Sequence, residues 1–324
     1  MDVNYPVFPE VEGWSETRWV GAFSPESGAG LWLHAGRCRA DLDLWWVQTD
    51  VYLPGERLVT GRSWCRAGEG EVVLDGNLRL VAEEEFKRFS VTFDGAGDLS
   101  TTQELALTSD GLGKPAPIRF TLDGAASVGP WDTFKGDNGG ETWGSRHMQQ
   151  LYSTTGSISF QGEELTLEGV GFIDHSSGPR SFTTFGGHVY LNVEMGGVGV
   201  HAMSFWNTDG AHQMTTGVLI DGESQRSITG MDMPGMSDAL GHPHRFETTI
   251  TDEDGVAVVY DVEILHTLPT TMTNDNDCYN GVNWTVSEDP LVTTECAARI
   301  TAPDGTVGYG HVERSLRRHE LQRD

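Results

Sequence analysis

The stretch Gly169-Val170-Gly171-Phe172-Ile173-Asp174-His175-Ser176-Ser177-Gly178-Pro179-Arg180 opens as an apolar run and closes on Ser-Ser-Gly-Pro. The opening predicts a strand. The close is turn chemistry, since Gly tolerates positive φ and Pro ends hydrogen-bonded pairing. Between them stand an acid, an imidazole and two hydroxyls, with a guanidinium just beyond. A rigid strand that ends in a loop is a common way to present reactive side chains.

The flanking sequence repeats the same style. Asp-Gly recurs at 75–76, 94–95, 110–111, 123–124, 209–210, 221–222, 254–255 and 304–305. This dipeptide favours tight hairpin turns. Short alternating segments lie between, such as Leu78 to Ala82, Phe89 to Phe93, Thr101 to Leu107 and Ile118 to Leu122. Later pairs of segments read as hairpins: His188 to Val193 with Val198 to Phe205, Phe246 to Thr251 with Val256 to Leu265, and Cys296 to Thr301 with Val307 to Glu313. No stretch sustains a 3.6-residue apolar period over four turns, and the best helical candidates are short, at Glu83 to Phe86 and Leu316 to Leu321. The fold class is therefore all-β, an antiparallel barrel or sandwich.

With 324 residues there is room for two cores. Composition shifts at the Gly-rich run that follows Val128. This predicts an N-terminal β domain over 1–128, a Gly/Trp-rich linker over 129–146 and a C-terminal β domain over 147–324 that carries Asp174-His175. A polar segment from Leu268 to Asp289 is too long for a hairpin turn. It reads equally as a lid or as a surface excursion.

The net charge of -27 repels phosphate backbones and anionic headgroups, so neither nucleic acid nor a membrane surface is expected as a partner. No apolar run approaches the roughly 20 residues of a spanning helix. The N-terminus lacks the basic start and apolar core of an export signal, which predicts a cytoplasmic protein. The four cysteines form no CxxC pair, so free thiols are expected. A homodimer is left open.

Asp174 supports two readings. In an apolar cavity burial would raise its pKa and make it an acid or base catalyst. In a turn it would cap backbone groups, with Arg180 neutralising it. Asp174 and His175, as neighbours on a strand, point to opposite faces. His147-Met148-Gln149-Gln150 follows Trp131, Phe134 and Trp143, and reads equally as one end of a pocket or as an interface plug. His201, Met203 and Phe205 share one strand face, which suits an ordinary core strand better than a cavity wall. Eleven histidines invite a metal, yet there is no HExxH and no carboxylate at a recognisable ligand spacing from a histidine pair. No metal and no cofactor are expected. Gly196-Gly197-Val198-Gly199 has no surrounding βαβ unit, and Ser176 and Ser177 lie in no GxSxG elbow.

The order His147-x-Gln149-Gln150, then strand-turn-strand, then Gly169-x-Gly171-Phe172-x-Asp174-His175-Ser176-x-Gly178-Pro179-Arg180 resembles the tandem-lipocalin superfamily. That group holds carotenoid 1,2-hydratases (hydroxyneurosporene synthases), kievitone-hydratase-like dehydratases and AttH-like proteins. The resemblance is strongest to its uncharacterised bacterial branch. There the motif commonly reads Arg-Asp-His-Ser-Trp-Gly-x-Arg, after His-x-Glu-Gln. Gly308-Tyr309-Gly310-His311-Val312-Glu313 resembles the same branch's Gly-x-Gly-x-x-Glu ending. The chain departs at Ile173 for Arg, Ser177 for Trp and Gln149 for Glu, and Gln149 cannot exchange a proton as Glu could.

The resemblance implies two consecutive lipocalin-like barrels and chemistry without a cofactor on an apolar small molecule, such as a terpenoid or polyketide. The expected activity is a lyase that adds or removes water. A cyclase or isomerase in the same cavity and a non-enzymatic carrier are the alternatives. Asp174 would be the acid, with His175 or His147 orienting it or handling water. Trp131, Trp143, Gln149, Arg180, His201 and Phe205 would contact substrate, the rings stabilising positive charge. Arg180 beside Asp174 would oppose the acid role, so it is expected to point away unless Asp174 is a base.

Overall fold

A computed structural model of the chain describes residues 14–38, 41–66, 73–74, 77–108, 113–134, 145–179, 184–272 and 289–321, and it divides into two compact units. The first unit contains β1 (Trp14–Ser24), β2 (Ala29–Cys38), β3 (Asp41–Leu53), β4 (Arg57–Arg66), β5 (Val73–Leu74), β6 (Leu78–Glu84), β7 (Arg88–Thr101) and β8 (Lys114–Ala126). It continues through β9 (Trp131–Asp132), β10 (Arg146–Phe160), β11 (Glu163–Thr166) and β12 (Gly169–Pro179). The pairing path runs β11-β10-β12-β1-β2-β3-β4-β5-β6-β7-β8, and β8 pairs again with β10, so the path returns on itself. One half of the long strand β10 pairs β12 and the other pairs β8.

Alternation places Val20, Leu31, Leu33, Val47, Val51 and Ile173 together in the buried core of this unit. Each such side chain contributes about 1.5–3 kcal/mol by leaving water. Two of the Asp-Gly pairs expected as turns lie inside strands here, 94–95 in β7 and 123–124 in β8. Their glycines make room for rings. Gly124 faces Phe89 across the ladder, and a Cβ on it would lie 2.0 Å from that ring. Gly124→Ala is expected to cost about 1–3 kcal/mol by overpacking, read as a lower urea midpoint. An unchanged midpoint would show that the ring gives way freely.

The second unit contains α1 (Thr102–Thr108), β13 (Phe185–Met195), β14 (Val198–Asn207), β15 (His212–Asp221), β16 (Ser224–Asp232), β17 (Arg245–Asp252), β18 (Ala257–Met272), β19 (Leu291–Thr301) and β20 (Val307–Arg317). β13 to β20 form a closed barrel in consecutive order, with β20 pairing β13. Here Asp-Gly behaves as expected. Gly210, Gly222, Gly255 and Gly305 have φ of 78°, 59°, 79° and 89° in the turns between successive strands. The interior holds Leu191, Val193, Val200, Val262, Ile300 and Val312. Among the described residues no helix is long and apolar enough to cross a membrane.

Several sequence expectations are corrected. β10 and β12 pair with β8 and β1, so the Asp174-His175 strand belongs to the first unit, which runs on to Ser181. The strands on either side of the Gly-rich run, β8 and β10, share one sheet, and Trp131 and Asp132 pair β10 as β9. Of the segment Thr101 to Leu107, all but Thr101 is helical rather than extended. Thr101 and Glu104 form a capping box, the Glu104 N–H donating to Thr101 Oγ1 at 3.2 Å and the Thr101 N–H to Glu104 Oε2 at 2.9 Å. Neither helical candidate forms an α-helix. Glu83 to Phe86 is a strand end and turn, and Leu316 to Leu321 is strand followed by a 3-10 turn at Arg318–Glu320. Leu268 to Met272, read as irregular, completes β18. The remainder of that segment, 273–288, lies outside the described residues.

Candidate active site

β12 lies between β1 and β10. Asp174 stands opposite Trp19 on one side and Gln149 on the other, and Ser176 opposite Thr17 and His147. His147 is thus the diagonal neighbour of Asp174, within reach for a long side chain. Its Nε2 contacts Asp174 Oδ2. The two side chains are 16% and 9% exposed, so the pair is largely withdrawn from water without being sealed off. The His147 N–H donates to Asp132 Oδ1 at 3.3 Å, and its ring lies 5.8 Å from Phe134. Asp132 of β9 thus anchors the His147 backbone, and Phe134 just beyond β9 packs near its ring.

Alternate positions on the neighbouring strands build an aromatic wall on the same face. Trp19 lies 4.4 Å from Phe172 and 6.3 Å from Trp32, between ring centroids. His34 meets Trp32 at 5.2 Å and Trp46 at 5.0 Å, both edge to face. Beyond Trp46 on β3 come Gln48 and Asp50, with Gln48 Nε2 donating to Asp50 Oδ2 at 2.8 Å. Burial pushes the Asp50 carboxyl up to about 7, against the lowering effects of that hydrogen bond and of Arg62.

The opposite face of the same strands looks into the core. His175 therefore points away from Asp174, and its Nε2 lies 2.9 Å from Glu16 Oε1. Arg37 Nη1 lies 3.3 Å from Glu16 Oε2, and its guanidinium sits 5.1 Å from the Trp45 ring centroid. Burial alone would push the Glu16 carboxyl up. The His175 hydrogen bond and the charges of His175, Arg37 and Arg18 outweigh it and hold the pKa below its ordinary value. His147 rather than His175 is thus the imidazole that meets Asp174.

Of the other expected site residues, Gln149 donates from Nε2 to Thr133 Oγ1 at 2.8 Å, and Trp131 is buried directly opposite Gln149. Trp143 and Arg180 lie outside the described residues. His201 and Phe205 lie in the second unit, on the outer face of β14. His201 Nδ1 lies 2.5 Å from Asn192 Oδ1, and the Phe205 ring packs 6.0 Å from His188. Around them runs a buried polar network absent from the sequence reading. His188 joins Ser315 Oγ through Nδ1 at 2.5 Å and Glu313 Oε1 through Nε2 at 2.7 Å. His311 Nε2 lies 2.9 Å from Glu295 Oε2. Burial first, and the His188 charge second, hold the His311 imidazole well below its ordinary pKa and so neutral. The one local signal was the Gly308 to Glu313 run.

A family model described as a domain of unknown function, DUF7064, matches residues 2–317. The chain belongs to this family. No curated protein sequence matches it. Among solved structures, this DUF7064 chain is similar to an AttH-like protein of Nitrosomonas europaea, with TM-score 0.60, 14% identity and coverage of 93% of this chain and 91% of the other. It is similar to kievitone hydratase of Nectria haematococca, with TM-score 0.51, 10% identity and coverage of 94% and 89%. It is also similar to CghA, with TM-score 0.54, 8% identity and coverage of 94% and 88%. At such low identity these likenesses establish the fold: the all-β, lipocalin-like architecture expected from the sequence, shared with AttH-like and hydratase structures.

Proposed function

We propose that the protein is a cofactor-independent lyase that adds water to, or removes it from, an apolar small molecule such as a terpenoid or polyketide. The observation that carries this reading is the Asp174–His147 contact beside the rings of Trp19 and Phe172. In the hydration direction the proton held between Asp174 and His147 passes to one alkene carbon. The π electrons form that C–H bond and leave a cation on the other carbon. Aromatic faces attract such a cation. Water then bonds to the cationic carbon and returns a proton to the pair, which restores the starting state. Dehydration runs these steps in reverse. A hydratase and CghA share the fold, which supports the reading without fixing the reaction.

The alternative is a cyclase or isomerase, in which the aromatic wall folds the substrate and Asp174 only polarises it. A panel of terpenoid and polyketide alkenes incubated in H2(18)O separates the readings. The lyase is expected to give a product that carries one labelled hydroxyl. An isomeric product of unchanged mass would favour cyclisation. Tight binding without conversion in both the parent and Asp174→Ala would leave a carrier and overturn the enzyme reading.

A further inference from the structure

The outer face of β19 and β20 brings two carboxylates and an imidazole to one point, well apart in sequence from Asp174. Glu295 and Glu313 are direct cross-strand partners, and His311 lies two residues before Glu313 on the same face. One donor atom from each of the three falls within 4.8 Å of the other two, and all three residues are buried. We infer that Glu295, His311 and Glu313 bind one divalent first-row transition-metal ion, Zn2+ being the probe of choice.

Three features support the assignment. Like charges directly opposite on a sheet destabilise it, and a dication between Glu295 and Glu313 reverses that sign. Carboxylate and imidazole donors bind such ions at about 2.0–2.2 Å, so this spread closes on one ion with shifts of less than about 1 Å. An imidazole in the set favours a transition metal over Mg2+ or Ca2+, which take oxygen donors. Outside the set stands an orienting shell. Ser315 Oγ meets His188 Nδ1, and His188 Nε2 meets Glu313 Oε1, which fixes the carboxylate as outer partners of metal ligands do. No spacing along the chain marks these three ligands, because strand register brings them together.

Untagged full-length protein stripped with EDTA is titrated with Zn2+ by calorimetry in moderate salt, and with Co2+ followed by visible absorption. One saturating equivalent is expected, with Co2+ ligand-field bands and no strong near-ultraviolet thiolate band. Glu295→Gln, Glu313→Gln and His311→Gln, each with a parental circular dichroism spectrum, should weaken binding about a hundredfold or more. His188→Gln keeps all three ligands and is expected to weaken it about tenfold. It carries the test if the ligand variants fail to fold. Binding that survives every folded variant, a thiolate band, or no saturable binding up to about 1 mM would each overturn the site.

Discussion

Asp174→Asn is expected to melt at the parent temperature and to turn over roughly a hundredfold more slowly or worse. The substitution keeps size and shape, and the amide oxygen still accepts a hydrogen bond from His147. What it removes is the ability to give and take a proton, and such a loss typically costs 10²–10⁴ in rate. The His147 contact makes the variant informative in a second way. His147→Gln keeps a donor toward Asp174 but no exchangeable ring proton, so it should lower kcat with little change in KM. A structural role predicts otherwise: both variants would lose stability along with activity, because the contact ties β10 to β12. Melting temperature and turnover measured on the same preparation decide between them. If Asp174→Asn melts like the parent and turns over at a comparable rate, the carboxyl takes no part in the chemistry.

The second large effect is expected at Asp50, which is fully buried on β3. Its carboxyl moves from an ordinary 3.8 to about 7 in the folded protein. Between those values the folded state holds a proton that the unfolded state has released. Stability therefore falls as pH rises from about 4 to about 7, and the full cost is present above 7. That cost is about 4 kcal/mol. Asp50→Asn stays neutral at every pH and can still accept the Gln48 hydrogen bond. It should match the parent near pH 4 and exceed it by a growing margin up to pH 8. Urea unfolding followed by tryptophan fluorescence reports on this unit, whose core and aromatic wall hold Trp19, Trp32, Trp45 and Trp46. A margin that does not change with pH would show that the buried carboxyl is not the cause.

What could be read in the sequence is what depends on neighbours in the chain. The apolar run Val170 to Ile173 predicted a strand, and a strand sets Asp174 and His175 on opposite faces, as the structure shows. The Asp-Gly turns of the second barrel followed from local φ preferences. Asp94-Gly95 and Asp123-Gly124 did not, because there the glycine serves a ring on the same or a facing strand. The Thr101 to Glu104 capping box was legible but hidden by an alternating pattern. Glu16, Asp50 and Glu295 carry no local mark, and the run that ends in Glu313 does not show what Glu313 meets. Each gains its meaning from register with a strand distant in the chain. The Gly-rich run misled because composition reports a loop and says nothing about whether the strands on either side share a sheet.

The pairing of β1 with β12 has a consequence for biosynthesis. Glu16 and His175, joined in the first unit, are 159 residues apart in the chain. At about 5–20 residues per second, a ribosome takes roughly 8–30 s to make the partner after β1 has emerged. Throughout that interval β1 has one edge unpaired, and β2 can pair it only on the other. Nascent chains halted before Pro179 clears the exit tunnel should remain sensitive to protease and recruit chaperones. The change to resistance should arrive abruptly, once β12 can close the ring, rather than build up hairpin by hairpin.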